Sequence, residues 1–179
     1  MKYVFSFLAL VLFSYSVIAQ QKSSLVQVDL IIFSQNTLQE EHSLFLQKTM
    51  KPDVTIKDSV GKDKKPYHLL PVSASQLNNE YWQLKRKPQF QVLANYSWLQ
   101  PKNSQKKIAF PLAAKNGWEV EGTLNLKPGN YILLSTEALF TPPHAATFKF
   151  TQQQRIKLGK VYYLDHPQAG MLIKIHQVG

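Results

Sequence analysis

Alternation of apolar and polar positions is the clearest signal along this chain. From Leu25 to Phe33 (LVQVDLIIF), Val26, Val28, Leu30 and Ile32 share one face and the stretch closes on an apolar run. This pattern predicts a strand in a central position. Asn36-Thr37 followed by Glu40 has the form of a capping box, and Leu38, Phe45 and Leu46 supply the apolar side of a short helix running to about Lys48. Residues 50–71 (MKPDVTIKDSVGKDKKPYHLLP) carry three prolines, one glycine and mixed charge with no sustained period, which predicts a long surface loop. Ser73 to Lys87 places Leu77, Tyr81 and Leu84 on one stripe and ends in Lys-Arg-Lys. Cationic residues suit the negative end of a helix, so a helix is expected there.

From Phe90 the period becomes two. Phe90, Val92, Ala94, Tyr96 and Trp98 alternate with Gln89, Gln91, Asn95 and Ser97, which predicts a strand with one wet face. After a basic loop, Trp118, Val120, Gly122, Leu124 and Leu126 alternate with Glu119, Glu121, Thr123 and Asn125. Lys127-Pro128-Gly129-Asn130 has turn chemistry, so Tyr131 to Phe140 returns as the hairpin partner. Ala146, Phe148, Phe150, Ile156 and Leu158 share parity, while polar Gln152 and Gln154 predict a bulge or a frayed edge. Gly159-Lys160 fits a two-residue turn leading back through Val161 to Leu164; Asp165 to Gly170 forms another turn before a last strand of Met171, Ile173 and Ile175. Early helices and late hairpin-linked strands define an α+β fold, a mainly antiparallel sheet of about seven strands with two helices.

The first 19 residues stand apart. Lys2 gives a positive start, Tyr3 to Val17 is apolar, and Val17-Ile18-Ala19 offers a small-residue exit, which together describe a signal peptide. Residues 20–179 then form one exported domain, long enough to bury a core without disulfides or metal. Lys2 is one of 21 Lys and Arg set against 11 Asp and Glu, so the exported part carries about +9 and favours anionic partners. A content of 44% hydrophobic and 18% charged residues argues against disorder. With no cysteine there are no disulfides, thiolate zinc sites, thiol nucleophiles or lipobox lipidation. No apolar run after residue 20 reaches bilayer length, so the membrane is a partner only if residues 1–19 stay attached.

Catalytic signatures are sparse. His42, His68, His144, His166 and His176 are scattered without metal-site spacing, and no nucleophile elbow, phosphate-cradling loop or dinucleotide fingerprint occurs. No cofactor is expected. Two Ser-x-x-Lys matches, at Ser59 and Ser104, lie in lysine-rich loops without an accompanying Lys-Thr-Gly, as chance would place them. Glu119 and Glu121 leave one strand face about 6 to 7 Å apart, a separation compatible with paired glycosidase carboxylates, although on the polar side of a regular strand a solvated face is the ordinary explanation. Asp165-His166-Pro167 is expected as a capped tight turn rather than a dyad.

Charge distribution is more telling. Between Glu80 and Glu119 there is no acid, while seven Lys and Arg residues interleave with Tyr81, Trp82, Phe90, Tyr96, Trp98, Phe110 and Trp118; a second acid-free stretch, Ala138 to Leu164, holds Lys149, Arg155, Lys157 and Lys160. Base and aromatic interleaving can hold nucleic acid. An exported protein instead meets sugars, which stack on rings, and anionic peptide or lipid groups, which pair with Lys and Arg. Nucleic acid is therefore not expected as a partner.

The C-terminal run Gln152 to Ile175 (QQQRIKLGKVYYLDHPQAGMLIKI) resembles the ending of the CsiV family of periplasmic peptidoglycan-binding proteins, with a basic residue, a Gly hairpin, an aromatic strand, Asp-His-Pro and a glycine before an apolar strand. Val26 to Gln35, Ser73 to Pro101 and Trp118 to Phe140 are similar to the family's opening strand, its helix, strand and Trp-Gln-Pro element, and its Glu-Gly-Thr hairpin. The order of these blocks is more specific than any one of them. A single Arg155 stands where the family has a basic cluster. The resemblance implies a non-catalytic periplasmic protein that binds peptidoglycan and acts with the outer-membrane lipoprotein activator of a class A penicillin-binding protein. Arg155, Lys157 and Tyr162 are the expected ligand contacts, with Leu158 and Val161 pairing inward across the Gly159 turn and Lys157 and Tyr162 left outward. The alternatives are a wall-glycan hydrolase using Glu119 and Glu121, or a protein-interaction module whose sheet edge recruits a partner.

Overall fold

The computed structural model describes residues 24–35, 51–58 and 65–178. The expected signal peptide and the helix expected over 36–48 lie outside the described residues. Strand β1 (Leu25–Gln35) is buried along almost its whole length because it is flanked on both sides, by β3 (Phe90–Pro101) and by β9 (Ala169–Gln177), each antiparallel to it. With β8 (Val161–His166) these make a four-stranded sheet of order β3-β1-β9-β8. The second sheet has five strands, β2 (Val54–Thr55), β4 (Lys107–Lys115), β5 (Trp118–Lys127), β6 (Ile132–Thr141) and β7 (Phe148–Ile156), in chain order across the sheet. Only the β2–β4 pair is parallel.

The inner faces of the two sheets share one core. Val28, Leu30 and Ile32 of β1 and Trp98 of β3 meet Leu124, Leu134, Phe140 and Phe150 from the second sheet. Each such side chain stabilises the sandwich by roughly 1.5–3 kcal/mol on burial. The opposite face of β1 carries Ile31 and Phe33, which pack with Val92, Leu77 and Leu84 under helix α1 (Asn78–Lys85). The layers therefore run helix, four-stranded sheet, five-stranded sheet, and the outer face of the five-stranded sheet is polar.

The mainly antiparallel character holds, while the one expected sheet is two sheets and the strand count differs. The described residues contain nine strands rather than seven, with one α-helix and a 3-10 turn. The two extra strands are β2 and β4. Part of the expected 50–71 loop is paired, since Lys57 bridges His68, Pro66 bridges Leu99 and Leu69 bridges Trp98, and Ile56 is buried. The expected basic loop contains β4, whose pairing with β5 is interrupted between Phe110 and Ala113, around Pro111. A proline cannot donate to a ladder, and it hid the strand. The expected helix from Ser73 starts later, after a 3-10 turn over Val72–Ala74.

Two facing assignments also change. Leu93 is an extra residue in β3, sitting between the pairs Ile32↔Ala94 and Phe33↔Val92. This bulge reverses side-chain parity, so Ala94, Tyr96 and Trp98 enter the shared core while Phe90 and Val92 turn toward α1. The segment around Gly159-Lys160 is not a hairpin turn, because β7 pairs with β6 and β8 pairs with β9 in the other sheet. It is a crossover. Gln152 and Gln154 lie on an unbroken ladder, and their polarity reflects that β7 is an edge strand.

Candidate functional site

Arg155 and Lys157 come together at the open edge of the five-stranded sheet. Arg155 is exposed, stands opposite Leu133 of β6, and lines a cleft of about 680 Å³ with Asn130, Tyr131, Leu133, Gln153 and Gln154. The Lys157 Nζ lies 5.3 Å from the centre of the Tyr131 ring, itself 48% exposed. Such an aromatic is available to a ligand as well as to its lysine. One cation, one aromatic face and three amide side chains thus border one recess, with Lys157 over the same ring, a set able to pair a carboxylate, stack a sugar ring and hydrogen-bond its substituents. Tyr131 follows Pro128-Gly129-Asn130, and an aromatic directly after a turn was the signal that could have marked it.

Tyr162 belongs to the same corner in a different capacity. Its hydroxyl oxygen accepts the backbone N–H of Lys157 at 2.8 Å, and its ring is partly buried against the shared core. Val161 is exposed instead, which reverses the facing expected for a hairpin. Leu158 does pack against the core. Since β8 enters from the other sheet, Tyr162 braces the Lys157 backbone from below rather than standing beside it on the surface.

The same edge is closed further along. His166 stacks on Phe148 with ring centres 4.6 Å apart, its Nδ1 accepts the Gln168 backbone N–H at 3.3 Å, and Gln152 Nε2 donates to the Asp165 carbonyl at 2.9 Å. The Asp165-His166-Pro167 segment is a tight turn between β8 and β9. Its carboxylate accepts from the Tyr163 hydroxyl and, at 3.1 Å, from Gln35 Nε2. The hydroxyl bond is the main cause holding the Asp165 carboxyl below its ordinary range, and burial, the Asp165 bond and its negative charge push Tyr163 up to about 12.

Glu119 and Glu121 project from the outer face of β5, Glu119 exposed and Glu121 beside a pocket of about 190 Å³ with Phe110, Leu112 and Gly122. Arg155 shares a rung with Leu133 and Lys127, six residues along β5 from Glu121, a separation of roughly 20 Å. The carboxylates and the cationic cleft are separate places. Among the described residues, no group of three or more His, Cys, Asp or Glu side chains is placed to hold a metal ion.

No curated protein and no solved structure matches this chain. A family model described as the peptidoglycan-binding protein CsiV matches residues 4–178, nearly the whole length. The cationic, aromatic cleft is thus carried on a chain that belongs to the CsiV family of peptidoglycan-binding proteins.

Proposed function

We propose that this protein is a non-catalytic periplasmic accessory of cell-wall synthesis that binds peptidoglycan through the cleft formed by Tyr131, Arg155 and Lys157. The observation carrying this reading is the cleft that Arg155 shares with the exposed Tyr131, whose ring also lies under the Lys157 ammonium. Family membership supplies the ligand class. Tyr162 acts as the brace that fixes the Lys157 backbone. The finer role, cooperation with the outer-membrane lipoprotein activator of a class A penicillin-binding protein, follows the family resemblance. Export of the chain behind residues 1–19 gives both encounters a compartment, and no helix among the described residues is long and apolar enough to cross a membrane.

Co-sedimentation with purified sacculi tests the reading. The protein should pellet with sacculi and be released as salt rises, since screening weakens exposed charge pairs over a Debye length of about 10 Å at 0.1 M. Arg155→Ala combined with Lys157→Ala should weaken retention by roughly tenfold. Retention equal to that of a neutral control protein would refute it. In-cell crosslinking from Val161 or Tyr163, both exposed on β8, tests the activator contact.

A further inference from the structure

Beyond the cleft, the outer face of the five-stranded sheet presents an ordered polar strip. Cross-strand register aligns Lys107, Asn125, Ser135 and Gln153 in one rung, and Ala109, Thr123, Glu137 and Thr151 in the next. Lys107, Thr123, Asn125, Ser135, Glu137, Thr151 and Gln153 line a shallow recess of about 290 Å³, and Gln153 also lines the Arg155 cleft. The two recesses are therefore contiguous. With strands about 4.8 Å apart, a four-strand rung extends on the order of 14 Å, longer than one hexose ring, and the two rungs lie roughly 7 Å apart.

The chemistry of this strip selects among polymers. Its middle is built from hydroxyls and amides, which both donate and accept, as sugar hydroxyls and N-acetyl groups require. Side-chain order is partly fixed: Gln153 Nε2 donates to Ser135 Oγ at 3.2 Å and Asn125 Nδ2 to the Gln105 carbonyl at 2.6 Å. The one acid in the rungs, Glu137, is paired with Lys149 at 2.5 Å, so these two charges cancel. A phosphodiester polymer needs cations repeated along its track, and between Lys107 at the β4 end and Arg155 and Lys157 at the β7 end this one has none in excess. The cations Arg155 and Lys157 stand at one end, beside Tyr131.

We infer that the strip is a glycan track: the sugar backbone of peptidoglycan lies across β4 to β7 along the Ser135–Gln153 rung, and where a muramic acid has lost its stem peptide the bared carboxylate is directed to Arg155 and Lys157. This rests on the peptidoglycan-binding reading and specifies which part of the polymer is held. Ser135, Thr151 and Gln153 supply neutral hydrogen bonds, and Tyr131 supplies the ring face.

Two soluble probes decide it against ¹⁵N-labelled protein: peptide-free murein glycan strands and isolated stem peptide. The glycan should shift the backbone amides of Ser135, Thr151 and Gln153, and stem peptide at the same concentration should leave them in place. Thr151→Val and Gln153→Ala should each weaken glycan binding about fivefold, the effect of one neutral hydrogen bond. A neutral chitooligosaccharide should bind more weakly than the murein glycan, and Arg155→Ala should narrow that difference. Sacculus retention with amide shifts produced by stem peptide alone, or by glycan elsewhere on the surface, overturns the track while the broader reading stands. Loss of sacculus retention together with silent amides removes both.

Discussion

Ser97 donates its hydroxyl to Asp29 at 2.6 Å across the β1–β3 pair, inside the molecule, where Asp29 has no solvent-accessible surface. Gln27 Nε2 reaches the same carboxylate oxygen at 2.8 Å, and the Gln76 backbone N–H reaches the other at 3.3 Å. Gln27 also donates to the Ala74 carbonyl at 2.7 Å, so this network ties the approach to α1 onto the sheet. Replacing Asp29 with Ala strands several buried donors and should cost about 2–4 kcal/mol in urea denaturation. Asp29→Asn should also destabilise, because its amide NH₂ would face donors rather than acceptors.

His176 gives the same region a pH dependence. Its Nδ1 lies 3.5 Å from Asp29, too far for a good hydrogen bond, and Lys174 stands opposite Asp29 in register. Burial holds the imidazole below its ordinary 6.5, outweighing the attraction of Asp29, and Lys174 acts in the same direction as burial. The unfolded chain therefore takes up the proton first. Stability should fall as pH drops through 6.5 toward the lower folded value and then level off. Denaturation midpoints from pH 7.5 to 5 should show this slope in the wild type and lose it in His176→Gln.

Gly122 is required by crowding. A Cβ at this position would overlap the Phe110 ring and lie 2.7 Å from Ala138 Cβ and 2.8 Å from the Glu137 carbonyl oxygen. Gly122→Ala should destabilise by about 1–3 kcal/mol. Adding Phe110→Leu should return part of that loss, and a double-mutant cycle with no coupling would contradict the packing argument.

The Tyr163–Asp165 pair predicts an acid-side effect of opposite origin to that of His176. Asp165 is held below 3.8 mainly by the Tyr163 hydroxyl, so the stability it contributes is present above that value and lost as pH falls through the lower folded one. In Asp165→Asn this acid dependence should flatten, and the Tyr163 titration, at about 12 in the wild type, should move down toward 10 when followed by NMR of the ring carbon bearing the hydroxyl.

The carboxylates of β5 should not cleave the wall. Sacculi incubated with the protein should release no soluble muropeptides, and Glu119→Gln with Glu121→Gln should leave sacculus retention unchanged. Release by the wild type that vanishes in Glu119→Gln would establish the hydrolase alternative.

Strands whose alternation is unbroken were legible from residues alone. β5 follows its expected parity, with Val120, Leu124 and Leu126 inward against Glu119, Glu121 and Asn125, and β6 returns as its hairpin partner. Legibility failed where a local irregularity reset the phase, at Leu93 in β3 and around Pro111 in β4. A better signal for β4 was present in Asn116-Gly117, both with positive φ, the chemistry of a two-residue hairpin turn. At the site, Arg155 and Lys157 were visible as charge in an acid-free stretch. Tyr131 was not, because it meets Lys157 only through the β6–β7 pairing, which sets Ile132 opposite Ile156.

Asp29 also bears on which way β1 can lie. Apart from this acid, Gln27, Ser34 and the terminal Gln35, the strand is greasy on both sides, so solubility alone gives it little reason to prefer one orientation. Slipping it by a single residue would drive the carboxyl oxygens into the hydrocarbon between the sheets, away from Ser97 and Gln27. The carboxylate thus works as a polarity key: it makes the mirror-facing arrangement of the central strand costly and leaves one threading for the chain to adopt.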